Sequence, residues 1–504
     1  MKKFFFSIIL CSAIAFSLSA ADPDLPVPQD AIITITGNRI TLESFINQVE
    51  KQTGYLFVYS KQDVNVNSIL PVKEGRKTVA EYLNDAFGNS NLKYVFENKY
   101  IVLTYEAPAY LNISGSVVDA QTRKPLVFAS LYIINRGISN VTNGEGYFNL
   151  KFPASYNRDS VRISFLGYHP ETYALKDLLD SGDKTVIPLK FVSTVLPTIL
   201  VTPVNAAELV ASAIQKIPEN YPEDNMQMTG FYREMIRKGS NYVTLTEAVL
   251  DINKTSYGRL YGIDQVGVFK GRGSVDWARI DTVFVKFRGG INSALQIDVA
   301  KYPFLGTNIP EISQVYDFRM EAPVQIDGKV NHVVSFNQKD IVQDIHFRGK
   351  IYIEMKSLAI SRVEFNMNVE DRDDATSIFI SRRPMGFRAN VLYATYLVQY
   401  KEINNKWTFD YSRTEIKFDS KWDRKLFKNS YTITSEMAIT ERSDRTLKIP
   451  AQQRVRSSDI TLDKVTDFQD EGFWDDYNVI EPESGIEQVI SRITKQLKRR
   501  SLGQ

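Results

Sequence analysis

The chain has 504 residues, which at roughly 150 residues per domain makes about three domains. Hydrophobic residues make up 43%, charged residues 24% and aromatics 12%, with 26 Tyr and 29 Phe. That mixture suits folded protein rich in strands and excludes disordered, collagenous and polytopic helical membrane chains.

Lys2 and Lys3, the apolar run Phe4 to Leu18 and Ser19-Ala20-Ala21 before Asp22 form the pattern of a cleaved secretory signal over residues 1–21. The run is shorter than the about 20 apolar residues an uncut anchor needs. Removing Lys2 and Lys3 from 61 basic residues leaves 59 against 59 acidic, so a processed chain is formally neutral. No overall field then draws it to nucleic acid or anionic membrane, and nucleic acid is excluded as a partner. Cys11, the one cysteine, lies inside the signal, so disulfides and thiolate metal sites are not expected. It follows Leu10, where lipoprotein processing needs a small residue.

Ile32 to Ile35 reads as a strand, and Thr41 opens a helix carrying Leu42, Phe45, Ile46 and Val49 at helical spacing, stopped by Gly54. Tyr55 to Tyr59 is a second strand. The unit recurs: Ile69 to Val72 is extended, Thr78 caps a helix ending at Gly88, and Leu92 to Phe96 and Tyr100 to Thr104 close around Asn98. Residues 31–105 therefore form a small βαβ-repeat domain. Ile40-Thr41-Leu42, Thr53-Gly54-Tyr55 and the closing pair Leu92-Lys93-Tyr94 and Tyr100 to Leu103 make it resemble the STN domain, the short N-terminal domain of secretins and TonB-dependent receptors. The resemblance implies a non-catalytic periplasmic contact module.

Residues 111–192 change character. Strands at Ile113 to Asp119, Phe128 to Ile134 and Val161 to Tyr168 alternate with turns, as in a small β-sandwich. Asn143-Gly144 is expected to supply the positive φ of a tight hairpin ending at Tyr147. Gly115 to Asp119, Pro125-Leu126, Thr142 to Phe148 and Phe165 to Tyr168 resemble the carboxypeptidase-regulatory-like domain, a prealbumin-like sandwich without zinc ligands. His169 reads as a turn residue. In nutrient receptors with this domain order a Val-rich segment precedes the plug and barrel; Val195 to Pro203 stands in that place and reads as a linker strand.

The rest, 205–480, is expected to be a large, mainly antiparallel β domain with flanking helices, which makes the chain α+β. A helix spans Asn205 to Ile217. Strands follow at 242–253, 283–287, 325–336, 346–355, 360–369, 391–403, 406–418 and 430–440, with a turn at Asn404-Asn405. Their alternation fits a sheet covered on one face. Gly349 to Phe365 resembles the half-barrel of periplasmic lipoprotein carriers, and Phe473 to Pro482 resembles the tail of envelope proteins bearing the regulatory-like domain. Ser484 to Glu487 reads as a capping box opening an amphipathic helix over 484–500. A finish on this basic helix, where barrels commonly finish on a strand, and charges such as Lys401-Glu402 within the strands argue against a membrane barrel.

No nucleophile elbow, HExxH, phosphate loop or dinucleotide fingerprint occurs. His332 and His346, with Asp340 and Asp344, are weighed as a metal site and read as histidines flanking a hairpin. Glu370 to Asp374 reads as a solvated turn, Lys270 to Ser274 and Arg288 to Gly290 as ordinary loops, and Trp277, Trp407, Trp422 and Trp474 as packing residues. No catalytic, cofactor-binding or metal residue is assigned. The expectation is a non-enzymatic exported protein of the periplasm or outer membrane, acting through contacts in receptor or signalling assemblies. Its partners would be envelope proteins: a receptor, a TonB-system component or an anti-sigma regulator. The alternative is a carrier of an apolar, lipid-like ligand on the C-terminal sheet.

Overall fold

The computed structural model describes residues 28–491 apart from 38–39, 61–63, 65, 67, 89, 107–108, 182–184, 193–204, 259–261, 277–289, 307, 343, 381–384, 444–448, 458, 468–472 and 475–476. The residues read as a secretion signal, the 195–203 segment, Trp277, the strand expected at 283–287, Arg288 and Gly289, and the end of the helix expected over 484–500 lie outside the described residues. Contacts divide the chain into two units, Met1–Pro108 and Ala109–Gln504.

The first unit runs β1 (Ile32–Ile35), α1 (Leu42–Thr53), β2 (Leu56–Val58), β3 (Gly75–Thr78), α2 (Val79–Phe87), β4 (Leu92–Glu97) and β5 (Tyr100–Tyr105). Thr41 accepts the Ser44 amide at the start of α1, and Gly54 ends it at φ 72°, a conformation that only glycine adopts cheaply. Thr78 and Glu81 form a full capping box on α2. Phe45 meets Phe57, Tyr82 and Phe87 edge-on, which fixes both helices in one core. The strand–helix–strand order recurs as expected, but its second opening strand lies at 75–78 and not at 69–72. Ile69 makes only a bridge to Thr41, and the partner of β1 is β3, whose Gly-Arg-Lys-Thr sequence has no apolar alternation to announce it. A separate sheet, β2-β5-β4, pairs β2 and β5 in parallel.

The second unit opens with β6 (Tyr110–Asp119), β7 (Ser130–Ile133), β8 (Ser139–Val141), β9 (Tyr147–Pro153), β10 (Ser160–Ser164), β11 (Glu171–Ala174), α3 (Leu175–Asp180) and β12 (Thr185–Leu189). They form two sheets, β11-β10-β7-β8 and β12-β6-β9, over one apolar core. At Gly115 a Cβ would lie 2.1 Å from the Thr185 carbonyl oxygen, so only glycine lets β12 approach. The hairpin expected at 143–147 is not one. Strand β8 belongs to one sheet and β9 to the other, so the segment arches between sheets. Its left-handed residue is Gly146, at φ 80°, rather than Gly144; the Asn143 side chain holds the arch by accepting the Glu145 and Tyr147 amides.

Then come α4 (Ala206–Gln215), α5 (Ile217–Asn220), β13 (Met226–Lys238), β14 (Asn241–Lys254), β15 (Gln265–Val275), α6 (Ile291–Gln296), α7 (Ile309–Val315), β16 (Tyr316–Ile326), β17 (Lys329–Gln338), β18 (Phe347–Glu354), β19 (Ile360–Met367), α8 (Arg372–Phe379), β20 (Phe387–Ile403), β21 (Lys406–Trp422), β22 (Asn429–Ser443) and β23 (Thr466–Asp467). The strands form one sheet in the order β16-β17-β18-β19-β20-β21-β22-β13-β14-β15-β23, antiparallel but for the short last pair. It is open among the described residues, not a closed barrel. Asn404 and Asn405, at φ 51° and 63°, make the β20–β21 turn. The strand expected at 325–336 is interrupted instead by an Asp327-Gly328 turn, at φ 49° and 79°. Residues 270–274 are strand, not loop: Gly271 and Gly273 lie bare because Val465 and Leu462 pack on them, 2.5 and 2.7 Å from where a Cβ would sit.

Contrary to the expectation of one covered face, the central strands are buried on both. One face receives α4, α6 and α7 and the largest core. The other receives the sandwich and the 474–484 segment. Among the described residues no helix is long and apolar enough to cross a membrane.

Candidate functional site

The residues weighed for metal do not meet. His332 faces Ile353 across β17 and β18, whereas His346 precedes β18, seven residues away, roughly 23 Å along a strand. Among the described residues no group of His, Cys, Asp and Glu could hold a metal ion. The His346 ring packs edge-on against Tyr316, and the His169 amide donates to the Lys190 carbonyl. Glu370, Asp371 and Asp374 are exposed, and the segment leads into α8, where Asp371 accepts the Asp374 amide. Trp407, Trp422 and Trp474 join three different apolar clusters.

Two buried charge clusters were invisible in the sequence because their members lie far apart along the chain. On the helix-covered face, Lys254 of β14 pairs with Asp264 (2.8 Å) and Asp298 (2.7 Å), and Lys301 pairs with Asp264 (2.8 Å). Tyr257 and Tyr400 donate to Asp298 at 2.9 and 2.8 Å. Asp298, Lys254 and Lys301 are buried, and two cations balance two carboxylates. Burial pulls the Lys254 ammonium down, but Asp298 and Asp264 outweigh it and its pKa is raised. Burial likewise pushes Asp264 up, and Lys254 and Lys301 outweigh that to leave it lowered. Both therefore stay charged. This quartet adjoins the tilted ring pair Tyr221–Tyr257 (4.9 Å between centroids) in the largest core.

The second cluster is a row across five strands. Arg272, Glu247, Arg233, Glu436 and Arg413 stand directly opposite one another on β15, β14, β13, β22 and β21. Neighbours pair at 2.8 to 3.3 Å. The Arg233 guanidinium also donates to the Ile480 carbonyl at 2.7 Å, which ties the 474–484 segment onto the row. Trp474 lies 5.0 Å from Arg272, and Phe128 of the sandwich 5.0 Å from Arg413. The same segment is stitched to the sandwich, since Asn478 exchanges two 2.8 Å bonds with the Lys151 backbone and Asn140 donates to the Val479 carbonyl. Ser484 does not cap its helix as expected. Its hydroxyl and amide bond Glu145 of the sandwich, and the helix starts on Glu483.

Both clusters are closed by their own pairs, so neither presents a free base, acid or nucleophile to solvent. A cleft of about 630 Å³ opens beside the Asn135 to Gly137 turn, between residues 222–226 and 403–408. Its cations are committed: Arg136 to Asp159, Arg442 to Asp410 and Lys406 to Glu223.

The outer face of β2-β5-β4 is different. Leu56 stands opposite Tyr100, and Val58 and Val95 flank Val102. Leu56, Val58, Val95 and Tyr100 are 50%, 47%, 56% and 46% exposed. Adjacent apolar side chains on one sheet face form a patch of the kind monomers rarely leave bare.

No curated protein matches the sequence. Solved structures include distant likenesses. A DUF1329 family protein from Desulfovibrio piger has TM-score 0.21 and 10% identity, covering 47% of this chain and 94% of its own. A LolA superfamily protein from Nitrosomonas europaea has TM-score 0.17 and 12% identity, covering 48% and 96%. Scores at that level carry no argument about fold or ligand. The sequence family that does match lies where the two-sheet sandwich is seen: residues 113–189 are a CarboxypepD_reg-like domain.

Proposed function

We propose that the protein acts in the cell envelope by binding other proteins rather than by catalysis, and that the outer face of β2-β5-β4 is its docking surface. The observation that carries this reading is the exposed group Leu56, Val58, Val95 and Tyr100 on adjoining strands. The STN resemblance of residues 31–105 supports it, as does the secretory pattern of residues 1–21. The second unit has the build of a platform, its charges paired internally and its C-terminal segment fastened to the sandwich.

The test places a photoreactive phenylalanine analogue at Val95 of the full chain in envelope membranes, with exposed Lys176 as the control position. Adducts to a discrete protein at Val95, lost on Leu56→Asp, are expected. Equal labelling at Lys176, or none at Val95, would overturn the assignment.

A further inference from the structure

A second exposed apolar site lies at one end of the large sheet. The turn between β21 and β22 carries Leu426 and Phe427, 88% and 83% exposed. Met385, 98% exposed, is held beside it, because the Asp423 amide donates to the Gly386 carbonyl at 2.9 Å. Three large, exposed apolar side chains thus lie at the same end of the sheet, beyond the Phe387–Trp422 pair of β20 and β21. Soluble proteins avoid such a grouping because it leaves apolar area in water for no internal gain.

The base of the tip is rigid. Phe387 packs on Trp422 at 5.3 Å and Phe418 stacks on Tyr431 at 5.6 Å, within the small core that α8 covers. Around the apolar apex the charge is one-sided. Residues 421–428, Lys-Trp-Asp-Arg-Lys-Leu-Phe-Lys, contain four cations and one acid. That acid, Asp423, is paired with Arg388 at 2.9 Å. Lys238 lies over the Tyr431 ring, and the Gly239 amide donates to the Ser430 carbonyl, so the β13–β14 turn joins the same end.

We propose that this tip docks on an anionic lipid bilayer. Leu426, Phe427 and Met385 would enter the acyl boundary, Trp422 would lie at headgroup depth, and the surrounding Lys and Arg would meet lipid phosphates. An apolar apex within a basic collar over an aromatic base matches the layers of a bilayer surface in order. A protein partner would require a complementary acidic groove, whereas a membrane needs only depth and charge. The near-neutral chain has no overall attraction to such a surface, so any binding is local to this end.

The full chain is to be sedimented with vesicles of phosphatidylethanolamine and phosphatidylglycerol, and with vesicles of phosphatidylcholine alone. Binding to the anionic vesicles should be stronger by at least about ten-fold and should weaken as salt rises. Leu426→Ser with Phe427→Ser should lower it by about ten-fold or more with an unchanged melting curve, since both side chains are exposed. Arg424→Glu should weaken binding while keeping the apolar apex. Equal binding to both vesicles, binding to neither, or full binding by the double variant would each overturn the proposal. The Val95 crosslinking result is independent of all three.

Discussion

Replacing Asp298 by Asn changes almost no volume but removes one of two negative charges from a buried quartet. In the native arrangement its carboxylate accepts from Lys254 at 2.7 Å, Tyr257 at 2.9 Å and Tyr400 at 2.8 Å. An amide has one oxygen for these three donors, and its NH2 group must face at least one of them. Lys254 then keeps a single counter-ion, Asp264, which Lys301 already shares. Breaking a fully buried pair from one side costs about 3–5 kcal/mol, most of it the unpaired charge left behind. Urea unfolding followed by intrinsic fluorescence should show that loss. Lys254→Met should cost about as much, but the double variant restores one cation to one carboxylate. Its loss should fall short of the summed losses by about 2 kcal/mol. A single-variant loss below about 1 kcal/mol, or additive losses, would show that the quartet is hydrated or loosely coupled and refute the account of this face as a packed core.

Two further outcomes are expected. The Thr122 amide, then the Tyr168 hydroxyl, hold the Asp119 carboxyl down to about 2 from 3.8, so its contribution to stability is complete above about pH 4 and is lost as pH falls through about 2. Thermal melts of Asp119→Asn should therefore lie below wild type at neutral pH and converge with it near pH 2; a gap independent of pH would exclude the carboxylate as the cause. Gly144→Ala puts a Cβ 2.2 Å from a Glu483 carboxylate oxygen without straining φ. Global stability should change by less than about 1 kcal/mol while amide exchange at residues 484–486 speeds up, and unchanged exchange would show that Glu483 yields freely.

Local signals were legible wherever one residue type does one job. Thr41, Gly54 and Thr78 bound their helices, Asn404-Asn405 turns its hairpin, and the strands around 347–367 announce themselves by alternation. Signals failed where the partner is remote. Strand β3 is polar because it is an exposed edge, and 142–147 looks like a hairpin because its sequence cannot say that the next strand joins the other sheet. Arg233, Glu247 and Glu436 carry no local mark of burial; they form an inner seam visible only once β13, β14 and β22 lie in register. Short helices α6, α7 and α8 gave no periodicity long enough to detect. The exposed faces at Val95 and Phe427 were unreadable for the converse reason: an apolar residue in a strand or turn looks the same whether it is covered or bare.

The stitching of residues 478–484 to the sandwich sets an order of events during synthesis. Asn140 waits for a carbonyl 339 residues downstream. At ~5–20 residues per second that interval is roughly 17–70 s, long beside the folding time of a small β domain. Until the tail arrives, the sandwich face that will receive it stays bare, and Arg233 has its row partners Glu247 and Glu436 but not the Ile480 carbonyl. The second unit is therefore finished from its far end: a nascent chain halted before Asn478 could already set Ser139 on the Ile439 carbonyl, but would lack the bonds from Asn478 that fasten the tail over that junction.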